Sequence, residues 1–187
     1  MSNLKLKPKL IILSDLWGRE KSCWVDYYIG NLCDKYTIKY YDCCELGEID
    51  KTTYTEQGLH DQFITGGIER AVINLLAKEK EVLSVLAFSI GGTIAWKAGL
   101  QGLAIKSLVA VSSTRLRYET VKITGEIVLV FGENDSNKPS DDWFKRMDIR
   151  KSIFKDECHE LYRKPESAQR ICEQILKFKE INSTSPL

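Results

Sequence analysis

No sign of charge dominates this chain: 27 Lys and Arg stand against 26 Asp and Glu, a formal net charge of +1 over 187 residues. A protein that tracks phosphates carries a basic excess, so nucleic acid is excluded as the expected partner. Long apolar runs are also missing. The one near the start, Leu10 to Leu13, stops at Ser14 and Asp15, whereas a membrane-spanning helix needs about 20 apolar residues. No membrane partner is expected. The same stop leaves the basic start of Lys5, Lys7 and Lys9 without the apolar stretch of a secretory signal, so the expected compartment is the cytoplasm. Cys23, Cys33, Cys43, Cys44, Cys158 and Cys172 include no CxxC pair. They are expected to be reduced, buried and chemically idle, with no disulfide framework and no metal. Repeats, low-complexity tracts and long linkers are absent too, which predicts one domain over 1–187 with loose tails at 1–8 and 182–187.

What the chain does have is alternation. With 43% hydrophobic residues it can fill a sizeable core. Short apolar or β-branched runs at Lys9 to Ser14, Thr37 to Asp42, Val82 to Phe88, Ile105 to Ser112 and Ile127 to Gly132 read as interior strands, with a sixth near Ile149 to Phe154. Between them Ile68, Ala71, Val72, Leu75 and Leu76 recur at the spacing of one helical face. Ala168, Ile171, Cys172 and Ile175 do so again after Pro165. Parallel neighbours need crossover connections and bury both sheet faces, so the pattern predicts an α/β fold: a mostly parallel sheet of about six strands with helices on both sides.

The chemistry begins at Ala87-Phe88-Ser89-Ile90-Gly91-Gly92, where a continuous apolar strand runs into a serine and then a helix. So sharp a turn strains the serine backbone and tolerates only small residues two positions either side, a demand that Ala87 and Gly91 meet. It lifts Ser89 above the carboxyl edge of the sheet and leaves the Ile90 amide at the helix start, free for an oxyanion. A phosphate-binding turn is the competing reading, but neither GxxxxGK[ST] nor GxGxxG spacing is present.

The elbow resembles the GxSxG turn of the α/β-hydrolase family, with Ala in place of the first Gly, and strand order extends the resemblance from Lys9 to about Lys179. The family's chain order, Ser then acid then His, implies roles for two further residues. Gly132-Glu133-Asn134-Asp135, followed by Pro139, resembles the acid loop. Asp135 has the matching offset, ahead of Glu133, Asp141 and Asp142. Of the two histidines, His60 precedes the serine and has no role in that order. His159 lies between the last strand and the helix opened by Pro165, where the family keeps its base; Cys158 replaces the glycine often found before it. After the first strand, Ser14-Asp15-Leu16-Trp17-Gly18 occupies the place of the second oxyanion donor, implying Trp17 or Leu16, with Trp17 preferred. Its Trp-Gly is similar to the HGWG or NGWG loop of pimeloyl-carrier-protein methyl ester carboxylesterases.

The resemblance implies a serine hydrolase that cleaves a carboxylic ester or thioester through an acyl-enzyme and needs no cofactor. The stretch 113–124 is too short for a cap domain, so an exposed site is expected, open to a small-molecule or carrier-bound acyl ester. Arg115, Arg117 and Lys122 in that stretch are candidates to meet a substrate carboxylate or an acidic carrier. Three alternatives stay open: a pimeloyl-carrier-protein methyl ester esterase, a non-catalytic binding protein on the same scaffold, and a transferase or lyase using the same three residues.

Overall fold

The computed structural model describes residues 7–183. Its centre is a six-stranded sheet of β1 (Lys9–Leu13), β2 (Thr37–Tyr41), β3 (Leu83–Phe88), β4 (Ile105–Val111), β5 (Glu126–Gly132) and β6 (Arg150–Phe154). The strand order is β2-β1-β3-β4-β5-β6 and every pairing is parallel. All six expected strands are present within a residue or two of their expected bounds. The helices are α1 (Val25–Leu32), α2 (Cys43–Gly47), α3 (Glu56–Gln62), α4 (Ile68–Lys78), α5 (Ile90–Leu100), α6 (Asp141–Met147) and α7 (Pro165–Ser183).

Because side chains alternate across a strand, the four central strands feed two cores. Ile11, Leu13, Val85, Ala87, Leu108, Ala110, Leu129 and Phe131 face α2, α4, α5 and α6. Their neighbours Leu10, Ile12, Leu86, Phe88, Val109, Val111, Val128 and Val130 face α1 and α7. Hence β3 is buried along its whole length and sits between β1 and β4, the position from which its carboxyl end reaches every neighbouring loop. Of the helix faces read from the sequence, Ile68, Ala71, Val72 and Leu75 on α4 and Ala168, Ile171, Cys172 and Ile175 on α7 are buried, while Leu76 is only partly buried against the same core.

Two expectations need correction. Only Cys43, Cys44 and Cys172 are buried; Cys23, Cys33 and Cys158 are exposed, and none is in a disulfide. Surface helices and loops carry them, where a small thiol costs little whichever way it faces. α7 also continues through Ser183, just into the expected tail. The rest of the expected tails, 1–6 and 184–187, lies outside the described residues.

Candidate active site

β3 and α5 meet at Ser89, whose φ of 48° and ψ of −114° lie in a region that L-residues rarely enter. Such a backbone costs about 1–3 kcal/mol and persists only where its surroundings hold it. Here the Ser89 amide donates to Val111 O at 2.8 Å, and the first turn of α5 presses onto the ends of β1 and β4. A Cβ at Gly91 would lie 2.5 Å from Ser14 O, and one at Gly92 would lie 1.9 Å from Ser113 Oγ. The small residues therefore serve close packing as well as the turn. Ile90 opens α5, so its amide is one of the donors a helix cannot satisfy internally.

The other two residues come to Ser89 from the ends of β5 and β6. Ser89 Oγ lies 3.2 Å from His159 Nε2, and His159 Nδ1 lies 2.8 Å from Asp135 Oδ2. Asp135 is 4% exposed, and the Asn137 amide donates to its other oxygen at 3.1 Å. Backbone bonds lock the two loops: Glu133 N–H donates to Phe154 O and Asn134 N–H to Glu157 O, both at 2.9 Å. Ser112, itself at φ 52°, donates its hydroxyl to His159 O at 2.6 Å. The competing acids are engaged elsewhere. Glu133 accepts from the Asp156 amide, Asp141 pairs with Lys151, and Asp142 pairs with Lys145. An imidazole so placed can take a hydroxyl proton while the buried carboxylate orients and stabilises the imidazolium.

Beneath the site, Phe88 and Tyr162 close a cluster with Trp24 and Tyr28. Trp24 lies 4.6 Å from Phe88 and 4.8 Å from Tyr162, centroid to centroid, and the Tyr28 hydroxyl donates to Tyr162 O at 2.9 Å. Phe88 adjoins Ser89 and Tyr162 stands three residues past His159, so one aromatic contact fixes two sides of the site.

The loop leaving β1 is organised by Asp15. Asp15 is wholly buried and accepts from the Trp17 amide at 3.0 Å, the Tyr162 hydroxyl at 3.1 Å and Arg163 Nη2 at 3.1 Å. Burial raises its pKa, against the pull of the Arg163 charge and the hydrogen bonds it accepts. The Trp17 amide is thus committed to a carboxylate. Its ring packs edge-on to Tyr54 at 5.5 Å under the Lys21 ammonium. Leu16, not Trp17, borders the cavity. The reason is local: the Asp15 side chain folds back onto the amide two residues on, an Asx turn.

Ser89 and His159 open into a cavity of about 670 Å³. No cap follows β4: the stretch 112–125 holds only a short 3₁₀ turn, Thr114–Tyr118, which brings Arg115 and Arg117 to the cavity wall. Lys122 does not line it and bonds to Asp148 instead. Glu56, His60 and Phe63 line it from α3 and the π-turn Phe63–Gly67. His60 has no role in the family's chain order, but the spacing of Glu56, His60 and Phe63 places them on one helical face. Cys158 also reaches the cavity. Among the described residues no group of three His, Cys, Asp or Glu side chains gathers where it could hold a metal ion, and no helix is long and apolar enough to cross a membrane.

This topology, with its strained serine after β3, is the α/β-hydrolase fold in a small form without an inserted cap. Solved structures agree. The chain matches a "predicted CIB-like hydrolase" from Thermoplasma acidophilum at 18% identity and TM-score 0.66, covering 94% of this chain and 89% of that one. Carboxylesterase CesB from Bacillus subtilis matches at 14% identity and TM-score 0.60, over 93% and 84% of the two chains. Est1E from Butyrivibrio proteoclasticus matches at 12% identity and TM-score 0.62, over 94% and 89%. No protein-family model and no curated protein sequence matches the chain.

Proposed function

We propose that the protein is a serine hydrolase acting on carboxylic esters or thioesters. One observation carries this reading: the unbroken chain from Ser89 Oγ through His159 to the buried Asp135, at 3.2 and 2.8 Å. A scaffold without catalytic work has no physical need to hold a serine at a strained φ with an imidazole against its hydroxyl. In this reading His159 takes the Ser89 proton as the oxygen attacks the acyl carbon. The amides of Ile90 and Leu16 receive the developing oxyanion. His159 then protonates the leaving alcohol or thiol, and a water, deprotonated by the same ring, releases the acid and restores Ser89.

The open, half-polar cavity supports a hydrophilic acyl group better than a long apolar one. A fluorophosphonate probe read by intact mass is the test. Wild type is expected to gain one adduct, while Ser89→Ala and His159→Ala gain none. A folded wild type that stays unlabelled refutes the proposal and favours the non-catalytic binding role.

A further inference from the structure

Arg115 and Arg117 share one 3₁₀ turn and one cavity wall, yet their surroundings differ. Arg117 is spent on the protein itself. Its Nη1 donates to Thr114 O at 2.9 Å and Asn137 O at 3.3 Å, and its Nη2 donates to the Tyr118 hydroxyl at 2.7 Å. Since the Asn137 amide holds Asp135 Oδ1, Arg117 braces the acid loop from behind. Arg115 has no acceptor and no ion pair among the described residues; its guanidinium stands 5.5 Å from the Tyr118 ring centroid. It is half-buried in the wall of the cavity that holds Ser89 and His159.

The other charges around that cavity do not answer it. Asp135 faces His159 and Glu160 pairs with Arg163, and Glu56 on α3 is exposed and makes no ion pair with it. A planar, permanently charged fork with vacant donors, partly withdrawn from water beside a reactive serine, matches a carboxylate in shape and charge. We propose that Arg115 binds a carboxylate on the acyl part of the substrate, so that the preferred substrates are monoesters or monothioesters of dicarboxylic acids. This rests on the hydrolase reading and narrows it: the attacked carbonyl lies at Ser89, and the second acid end lies against the Thr114–Tyr118 turn. Arg117, with its donors occupied, is a positioning residue and not a second anion site.

Two measurements separate failure of this proposal from failure of the hydrolase reading. In the first, kcat/KM is compared for p-nitrophenyl hemiadipate and neutral p-nitrophenyl hexanoate. Wild type is expected to favour the anion about tenfold, a preference that falls as salt rises. Arg115→Met brings the ratio to about one, and Arg115→Lys restores part of it. Arg117→Met leaves a ratio above one while lowering the melting temperature. A carboxylate on the leaving group, tested as 4-carboxyphenyl against phenyl hexanoate, is expected to give no Arg115-dependent preference. The second measurement needs no turnover: adipate and neutral adipamide are titrated by calorimetry into Ser89→Ala protein with and without Arg115→Met. Binding of adipate alone, lost with Arg115, supports the proposal whatever the fluorophosphonate result. Equal ratios in wild type and Arg115→Met, or adipate binding that is absent or indifferent to Arg115, overturns it.

Discussion

Asp15→Ala removes a side chain with no exposed surface on which three groups converge: the Trp17 amide, the Tyr162 hydroxyl and the Arg163 guanidinium, each 3.0–3.1 Å away. Two effects oppose each other. Burial makes the ionised carboxyl costly, as its raised pKa shows, and deleting it recovers that cost. Against this, Tyr162 is buried, and Arg163 would keep Glu160, at 2.8 Å, as its one acidic partner among the described residues. Removing one partner of a buried ion pair costs about 3–5 kcal/mol, more than the desolvation it recovers. Arg163 is 28% exposed at its side chain and retains Glu160, so the lower end applies, about 3 kcal/mol. Urea unfolding at pH 7, followed by tryptophan fluorescence, measures it. The double variant Asp15→Ala/Arg163→Met is expected to lose less than the sum of the single losses by about 1 kcal/mol or more.

The pH dependence has a definite sign. The folded pKa of Asp15 is above the model-compound value of 3.8, so on raising the pH the unfolded chain releases this proton first. Asp15 therefore stabilises the fold most below pH 3.8, and the wild type's margin over Asp15→Ala shrinks as pH rises from there through the folded pKa. A loss below about 1 kcal/mol, strict additivity with Arg163→Met, or a margin that widens as pH rises from 3.8 would refute this account of the loop.

Ser89→Gly is expected to stabilise the protein by about 1 kcal/mol in thermal melts, because glycine adopts a positive φ without the Cβ penalty, while fluorophosphonate labelling disappears. Gly132→Ala places a Cβ 2.2 Å from Glu157 O, on the backbone that carries His159; a loss of about 2 kcal/mol or more in urea unfolding and slower labelling are expected together. Glu79 is desolvated, but hydrogen bonds from Lys9, Tyr41 and Lys39 outweigh that and hold its pKa below 4.5. Its contribution is thus complete above pH 4.5 and is lost as pH falls through the folded pKa, an acid sensitivity that Glu79→Gln should remove from the stability profile.

The strands were legible because a parallel sheet buried on both faces leaves continuous apolar runs, and β3 is the plainest case. Ser89 was legible because its turn admits so few residues that the small-x-Ser-x-small pattern survives in one sequence. Asp135 and His159 were read through the resemblance's chain order, and the geometry brings both to Ser89. Other features took their roles from the fold. His60 and Glu56 reach the cavity because of where α3 lies, and Lys122 misses it because Asp148 claims its ammonium. Arg115 and Arg117 look alike in sequence and differ only in what surrounds each guanidinium.

The layered α/β architecture and the strained serine at the end of its central strand are written in the sequence, since hydrophobic periodicity and turn sterics act over a few residues. The fold decided which charged group holds buried Asp15 and which arginine has donors to spare. Both depend on partners far along the chain: Asp15 is 148 residues from Arg163, and Arg117 is 20 from Asn137. Hydrogen-bond donors and charges are assigned by whatever the fold brings within about 3 Å, and no spacing rule in one dimension encodes that.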